Sequence, residues 1–187
     1  MKIYVTGAML KAALIHAAKQ DMRLCLNGVL IEATPEETRV VGADGPRCCV
    51  VRVETENEGV DRPVQFIIPR EVVESMKISP SLLGERISLE DTPGGMWKAS
   101  GIFFDLTFKP LADTYPDYRR TIPDETSGEV AQYDPAYLLD ALKAAKLLAI
   151  PPKLYNTKPP RRSKTAIHVQ HNGTGPCVVT TDNPDFW

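Results

Sequence analysis

The sequence has no apolar run approaching the ~18 residues that a membrane-spanning helix requires. Its amino terminus, MKIYVTGAML, alternates like a strand and lacks the apolar stretch and cleavage site of a signal peptide. A cytoplasmic protein without membrane association is expected. Cysteine is scarce. Cys25, Cys48, Cys49 and Cys177 show no CxxC spacing and form no metal-ligand cluster with His16, His168 or His171, so neither a metal nor a cofactor is expected and the thiols should be reduced and mostly buried. A glycine-rich phosphate loop is also missing, because Thr92-Pro93-Gly94-Gly95 reads as a hairpin turn. No nucleophile stands beside a base: His16 lies on a helix, and the adjacent Cys48 and Cys49 of one strand point to opposite faces. A non-enzymatic protein follows. Nor is there an excess of positive charge. The net charge of -2 gives no global attraction to nucleic acid, so any such contact must come from a local basic surface.

What is present is a foldable composition. The 187 residues are 43% hydrophobic and 25% charged, typical of a soluble globular protein and enough for one ordinary domain or one and a half small ones. A strand is expected over Lys2 to Thr6, then a helix from Ala8 to about Gln20. In that helix Leu10, Ala13, Leu14 and Ala17 form the packed stripe, and Lys11, His16, Lys19 and Gln20 face water. Three strands follow, Leu26 to Ala33, Thr38 to Ala43 and Cys48 to Thr55, divided by Thr34-Pro35-Glu36-Glu37 and Asp44-Gly45-Pro46.

After Glu56 to Arg62 the same order returns: strand Val64 to Ile68, a helix opened by Pro69 and running to about Lys77, and strands near Arg86 to Glu90, Trp97 to Ser100 and Ile102 to Phe108. A third copy follows Asp113 to Gly128. It has a strand Glu129 to Tyr133, Asp134 as N-cap, Pro135 at N1, a helix Ala136 to about Leu148, and strands Ala166 to His171 and Cys177 to Thr181. Such a βαβββ half-unit cannot bury its helix face and its sheet face alone. Two halves should pair, with both helices on one side of the sheets, leaving the third half without a partner inside the chain.

Leu26-Asn27-Gly28-Val29-Leu30-Ile31-Glu32, followed by Gly42-Ala43-Asp44-Gly45-Pro46-Arg47, resembles the "LNG(V/M)LFE … ATDGHRLA" signature of the middle domain of bacterial sliding clamps, the beta subunits of DNA polymerase III. Ile67-Ile68-Pro69-Arg70 is similar to the family's "(I/V)(I/V)PRK". Tyr115-Pro116-Asp117-Tyr118-Arg119-Arg120-Thr121-Ile122-Pro123 resembles its "FPDYRRV(I/L)P" linker almost letter for letter, and Tyr133 to Leu142 resembles its "FN(P/V)xYLLDAL" helix. The resemblance implies an α+β DNA-clamp fold. It also implies one complete clamp-like domain over 1–113 (half-units 1–58 and 60–113), a linker over 114–128 and an incomplete half-domain over 129–187. The family's closing "VVMPM(R/K)" strand would begin where Asp185-Phe186-Trp187 stands.

The resemblance further implies a polymerase processivity factor that encircles double-stranded DNA, contacts phosphates without sequence preference, and docks short peptides of the polymerase and other partners. It places the helices on the channel wall, giving Lys11, Lys19, Gln20, Arg23, Arg70, Lys143 and Lys146 as DNA-contacting candidates, with Gln20 and Arg70 matching DNA-facing family positions. Lys77 is a further helix cation, and Glu71, Glu74 and Asp140 dilute the charge. The same lysines also fit a solvated helix face with i, i+3 or i, i+4 ion pairs. Carried over residue by residue, the peptide pocket comprises Leu26, Gly45, Pro46, Arg47, Cys48, Pro116, Arg120 and Thr121, together with Cys177. Here Pro46 stands for the family's usual His and Cys48 for its Leu. The bland reading of Asp44-Gly45-Pro46 is a β-turn, and of the two arginines a linker anchor. The basic segment Lys153 to Lys164, with Tyr155, reads either as a phosphate contact or as a solvated loop.

Three assemblies fit these readings. One is a ring of phage or mobile-element type, of about four chains if unpaired halves pair across subunits. The second is a regulatory clamp mimic that binds replication proteins without encircling DNA. In the third, the sequence is part of a longer clamp.

Overall fold

The computed structural model describes residues 1–122 and 134–149, together with the backbone of strands 167–170 and 177–181. The first strand, β1 (Lys2–Thr6), buries Ile3 and Val5 completely and leads directly into α1 (Gly7–His16). Thr6 caps that helix, its hydroxyl accepting from the Met9 amide at 3.3 Å. Ala8, Met9, Leu10, Ala12, Ala13 and His16 are all buried, so α1 has protein on nearly every side. A helix apolar all round has to lie in the middle of a structure.

Three antiparallel strands follow: β2 (Gly28–Ala33), β3 (Glu37–Ala43) and β4 (Arg47–Glu54). The second unit repeats the order as β5 (Val64–Pro69), α2 (Arg70–Ser75), β6 (Arg86–Thr92), β7 (Met96–Gly101) and β8 (Phe104–Phe108). The two units exchange their first strands: β1 lies antiparallel to β6, with Tyr4 opposite Ser88, and β5 lies antiparallel to β2, with Leu30 opposite Ile67. One sheet therefore runs β1-β6-β7-β8, and the other begins β5-β2-β3-β4. Neither unit closes its own sheet. Phe66 of β5 stacks on Trp97 of β7, ring centroids 3.7 Å apart, and joins the two sheets through one core.

The expected helix end near Gln20 is corrected. α1 stops at His16 and the chain turns extended at Ala17. The cause lies far along the sequence: Arg70 aims its guanidinium at the end of α1, donating to the carbonyls of Leu14 (2.8 Å), Ala17 (2.5 Å) and Ala18 (2.9 Å). The Ala18 amide then donates to Leu26 O at 3.0 Å, outside any helix. His16, expected to face water, is 4% exposed, with Nδ1 3.1 Å from Ala12 O. Helix α2 is likewise shorter than expected, and Pro69 is its N-cap rather than its first turn.

The third segment does find a partner inside the chain. Helix α3 (Pro135–Leu148), capped by Asp134, whose carboxylate accepts from the Ala136 amide at 2.8 Å, packs against α1 through the buried Ala141 and Ala144. Two alanines on one face let the helix axes approach closely. Strands β9 (Ile167–Gln170) and β10 (Cys177–Thr181) extend the first unit's sheet, β10 running parallel to β4 with Cys177 opposite Arg47 and Val178 opposite Cys48. The strand expected over 129–133 and the basic segment 153–164 lie outside the described residues.

Close approach of α1 to its sheet depends on Gly42, where a Cβ would lie 1.9 Å from the Ala13 carbonyl oxygen. Gly42→Ala should cost about 2 kcal/mol or more by overpacking. Gly94→Ala, at a turn with φ +81 and open space around it, should cost only about 1 kcal/mol. Urea denaturation midpoints of the two variants check both.

Burial holds the His16 imidazole below its ordinary pKa, outweighing the Ala12 carbonyl; Arg47 lowers it further, while Asp140 and Asp44 oppose the shift. The unfolded chain then binds a proton that the folded chain refuses, so stability is full above the unfolded pKa of about 6.5 and falls as pH drops below it. His16→Gln should flatten the dependence of the melting temperature on pH between about 7 and 5.

Candidate nucleic-acid interface and peptide site

Helices α2, α1 and α3 lie side by side, and a groove of about 830 Å³ opens along them. Its walls come from Lys11, Leu14 and Ile15 of α1, Lys19 and Gln20 beyond it, Arg70 and Glu74 of α2, and Asp140, Lys143 and Leu147 of α3, with Asp44 and Arg47 at one side. Five of the seven DNA-contacting candidates, Lys11, Lys19, Gln20, Arg70 and Lys143, thus converge on one surface. Arg23 and Lys146 are exposed but do not line it.

Most of these cations are engaged. The Arg70 side chain is 13% exposed, and besides the carbonyls of Leu14, Ala17 and Ala18 at the end of α1 it donates to Glu74 Oε1 at 2.8 Å. Its placement is that of a helix cap within the groove wall. Lys11 Nζ donates to Ile78 O at 2.8 Å. Lys143 pairs with Asp140 at 2.8 Å, and Asp140 is held below its usual pKa first by Lys143 and then by Arg47. Arg23 is forked onto Asp21, Nε to Oδ1 at 2.9 Å and Nη2 to Oδ2 at 2.8 Å, and those bonds pull Asp21 down to about 2. Among the described residues, Lys19 and Lys146 have no ion-pair partner. The groove lining carries Asp21, Asp44, Glu74 and Asp140 against Lys11, Lys19, Arg47, Arg70 and Lys143, so it is close to charge balance.

The residues assigned to the peptide pocket divide in two. Leu26 (2% exposed) and Cys48 (7%) are buried with Cys25, Val41 and Ile67 under Tyr115 and Tyr118 of the linker. Gly45, Pro46, Pro116 and Arg120 are exposed, the Arg120 side chain to 86% with Asp117 3.2 Å away. Thr121 is half-buried, its hydroxyl donating to Tyr118 O at 2.7 Å. Gly45 has φ +101, a conformation that suits glycine at the turn between β3 and β4. Arg47 stands opposite Cys177, and Cys48 opposite Val178, across the β4–β10 pair. That junction brings the turn, the linker and the third segment together.

Sequence reading missed what holds the junction. Arg47 pairs with Asp44 and, at 2.6 Å, with Asp140 of α3, and its guanidinium lies 4.9 Å from the centre of the Tyr137 ring. Glu32 anchors the linker, accepting from Tyr118 Oη at 2.6 Å and from Arg119 Nη2 at 2.7 Å. Asp44 three residues before Arg47 was a local signal for the first; nothing local pointed to Asp140 or Glu32. The Cys48 and Cys49 thiols, pushed up to about 12 by burial, offer no nucleophile. Among the described residues, no group of three His, Cys, Asp or Glu side chains could hold a metal, and no helix is long and apolar enough to cross a membrane.

No family model matches the chain. Against solved structures, it is similar to the DNA polymerase III subunit beta of Pseudomonas aeruginosa, with a TM-score of 0.59 at 20% identity over 76% of this chain and 39% of that one. The Helicobacter pylori beta clamp bound to a DNA ligase peptide gives 0.58 at 19% identity, over 67% and 36% respectively. The fold is the DNA clamp. In sequence the chain is 32% identical over 111 residues to the beta sliding clamp of Vibrio cholerae, covering 59% of this chain and 29% of the relative. It is 31% identical over 116 residues to that of Escherichia coli K12, 62% and 31%. This clamp-like chain spans under a third of the length of the curated relatives that it matches.

Removing the two kinds of cation should have separable effects. Arg70→Ala should cost about 2 kcal/mol of folding stability, through charged hydrogen bonds lost at the end of α1. Lys19→Ala should leave stability within about 0.5 kcal/mol. Parallel urea titrations check this, and a silent Arg70→Ala would remove Arg70 as the cap of α1.

Proposed function

We propose that the chain is a sliding-clamp-like processivity factor, non-enzymatic and cytoplasmic, that contacts duplex DNA without sequence preference and docks short peptides of replication partners. In this reading residues 1–113 form a clamp-like domain, 114–128 its linker and 129–187 part of a second such domain. The observation that carries it is the convergence of Lys11, Lys19, Gln20 and Lys143 on one helix-walled groove in a DNA-clamp fold. Such side chains meet phosphate rather than base edges. The peptide role is supported by the junction of Arg47, Cys48 and the linker with β10. The alternative, a clamp mimic that binds replication proteins without encircling DNA, draws support from the near charge balance of that groove.

With so few free cations, binding to linear duplex should be weak, and its log–log salt slope should be shallow, about -2 to -3 per chain. Retention on nicked circular but not linear DNA separates the two readings. A chain that binds a fluorescent clamp-binding peptide but never stays on the circle is the mimic. Arg120→Ala should weaken that peptide by about tenfold; unchanged affinity would remove Arg120 from the pocket.

A further inference from the structure

The linker lays two tyrosines against the sheet face turned away from α1, and they are held differently. Tyr118 is pinned: its hydroxyl donates to Glu32 Oε2 at 2.6 Å, and the neighbouring Arg119 pairs with the same carboxylate. Tyr115 is 9% exposed, and its hydroxyl is, among the described residues, the one buried side-chain polar atom without a hydrogen bond. The Ala43 backbone lies near that oxygen but completes no bond with it. Burying a hydroxyl unpaired costs more than burying the same ring without it. The closed position of Tyr115 is therefore held by apolar contact and opposed by its own polar end.

Packed with Tyr115 are two residues assigned to the peptide pocket. Leu26 and Cys48 cluster there with Cys25, Val41 and Ile67, whereas the adjacent Cys49 belongs to the α1 core. With Tyr115 in place Leu26 is 2% exposed and Cys48 7%, which leaves no room for a ligand to touch them. Pro116 and Arg120, which remain exposed, follow Tyr115 on the same linker. The linker is fastened on either side of it, at Asp113, whose carboxylate accepts from the Cys25 amide at 3.2 Å, and at Glu32. The Tyr115 side chain stands between two anchors and shares in neither.

We propose that Tyr115 gates the peptide site: its ring swings out to water, where the hydroxyl is solvated, and a bulky apolar side chain of the partner peptide takes its place over Leu26 and Cys48. The gate rests on the peptide reading above and adds a selection to it. A peptide must supply enough apolar bulk to replace a ring, and a small or charged side chain leaves the gate shut. Apparent affinity is then the affinity of the open form scaled by the fraction of chains that are open.

Thiol labelling reads the gate without any peptide. Local opening at Tyr115 exposes Cys48, while Cys49, on the opposite face of the same strand, is exposed only by global unfolding. In the full chain, N-ethylmaleimide followed by tandem mass spectrometry should modify Cys48 about tenfold faster than Cys49, or more. Tyr115→Phe keeps the ring and removes the unpaired hydroxyl. It should slow Cys48 by about tenfold and weaken binding of the fluorescent peptide by the same factor. Tyr115→Ala should raise Cys48 labelling relative to Cys49 and tighten the peptide, with circular dichroism verifying that it folds. Equal rates at the two cysteines, or a Tyr115→Phe that leaves Cys48 unchanged, overturn the gate whatever the peptide does. Labelling as expected with a peptide that binds no variant overturns the peptide reading instead, and with it the occupant proposed here.

Discussion

A short helix with only one narrow side left for water dictates the arrangement of everything around it. α1 is only ten residues long and carries an apolar or buried residue at almost every position, so it is stable only as the middle member of a layer. β3 lies beneath it at a distance that only glycine permits, at Gly42. α2 sends Arg70 to its open end, and α3 packs on it through Ala141 and Ala144. Removing any of these would leave part of α1 against solvent. The folding of three sequence-distant segments is thereby made one cooperative event, with the exchange of β1 and β5 reinforcing it: neither unit can complete its sheet before the other has formed.

Arginine holds these parts together. Arg70 caps α1, Arg47 ties the β3–β4 turn to α3, and Arg119 with Tyr118 pins the linker to Glu32 of β2. Each guanidinium offers several donors in a fixed fork, which suits it to bridge backbone carbonyls or carboxylates from different elements, a task beyond the point charge of lysine. Positive charge employed in this way is withdrawn from the surface. A chain with a net charge of -2 has few cations to spare, and the groove along the helices is left nearly neutral in consequence.

The strands and the start of α3 were legible because their causes are local. Alternating apolar residues set β1 to β8, and Asp134-Pro135 fixes the first turn of α3 through a cap and a preset φ. The end of α1 was not legible, because nothing between Ala17 and Gln20 forbids a helix; the residue that stops it lies more than fifty positions away. His16 was misplaced for the same reason. Its place on α1 suggested a face for water, and which face α1 buries is decided by elements whose docking no periodicity reveals. The site residues show the same division. The family resemblance, and not helix periodicity, brought Lys11, Lys19, Gln20 and Lys143 to a common wall, since Lys19 and Gln20 lie beyond the end of α1. It could not show which cations are already engaged, because Glu74 is the only partner of Arg70 that helix spacing predicts, and its three carbonyl partners are invisible to composition.

A surface with few free cations is a poor duplex binder by affinity alone, yet that is compatible with holding DNA if retention is topological. A protein that encircles its ligand leaves only by opening, so the strength of each phosphate contact sets friction rather than residence. Every additional free lysine steepens the salt dependence and slows movement along the helix while adding little to retention. Without closure the same surface would lose DNA at physiological ionic strength, because no other term replaces the missing electrostatic one. For a surface so nearly neutral, topology and not the residues that face the groove would decide whether DNA is held.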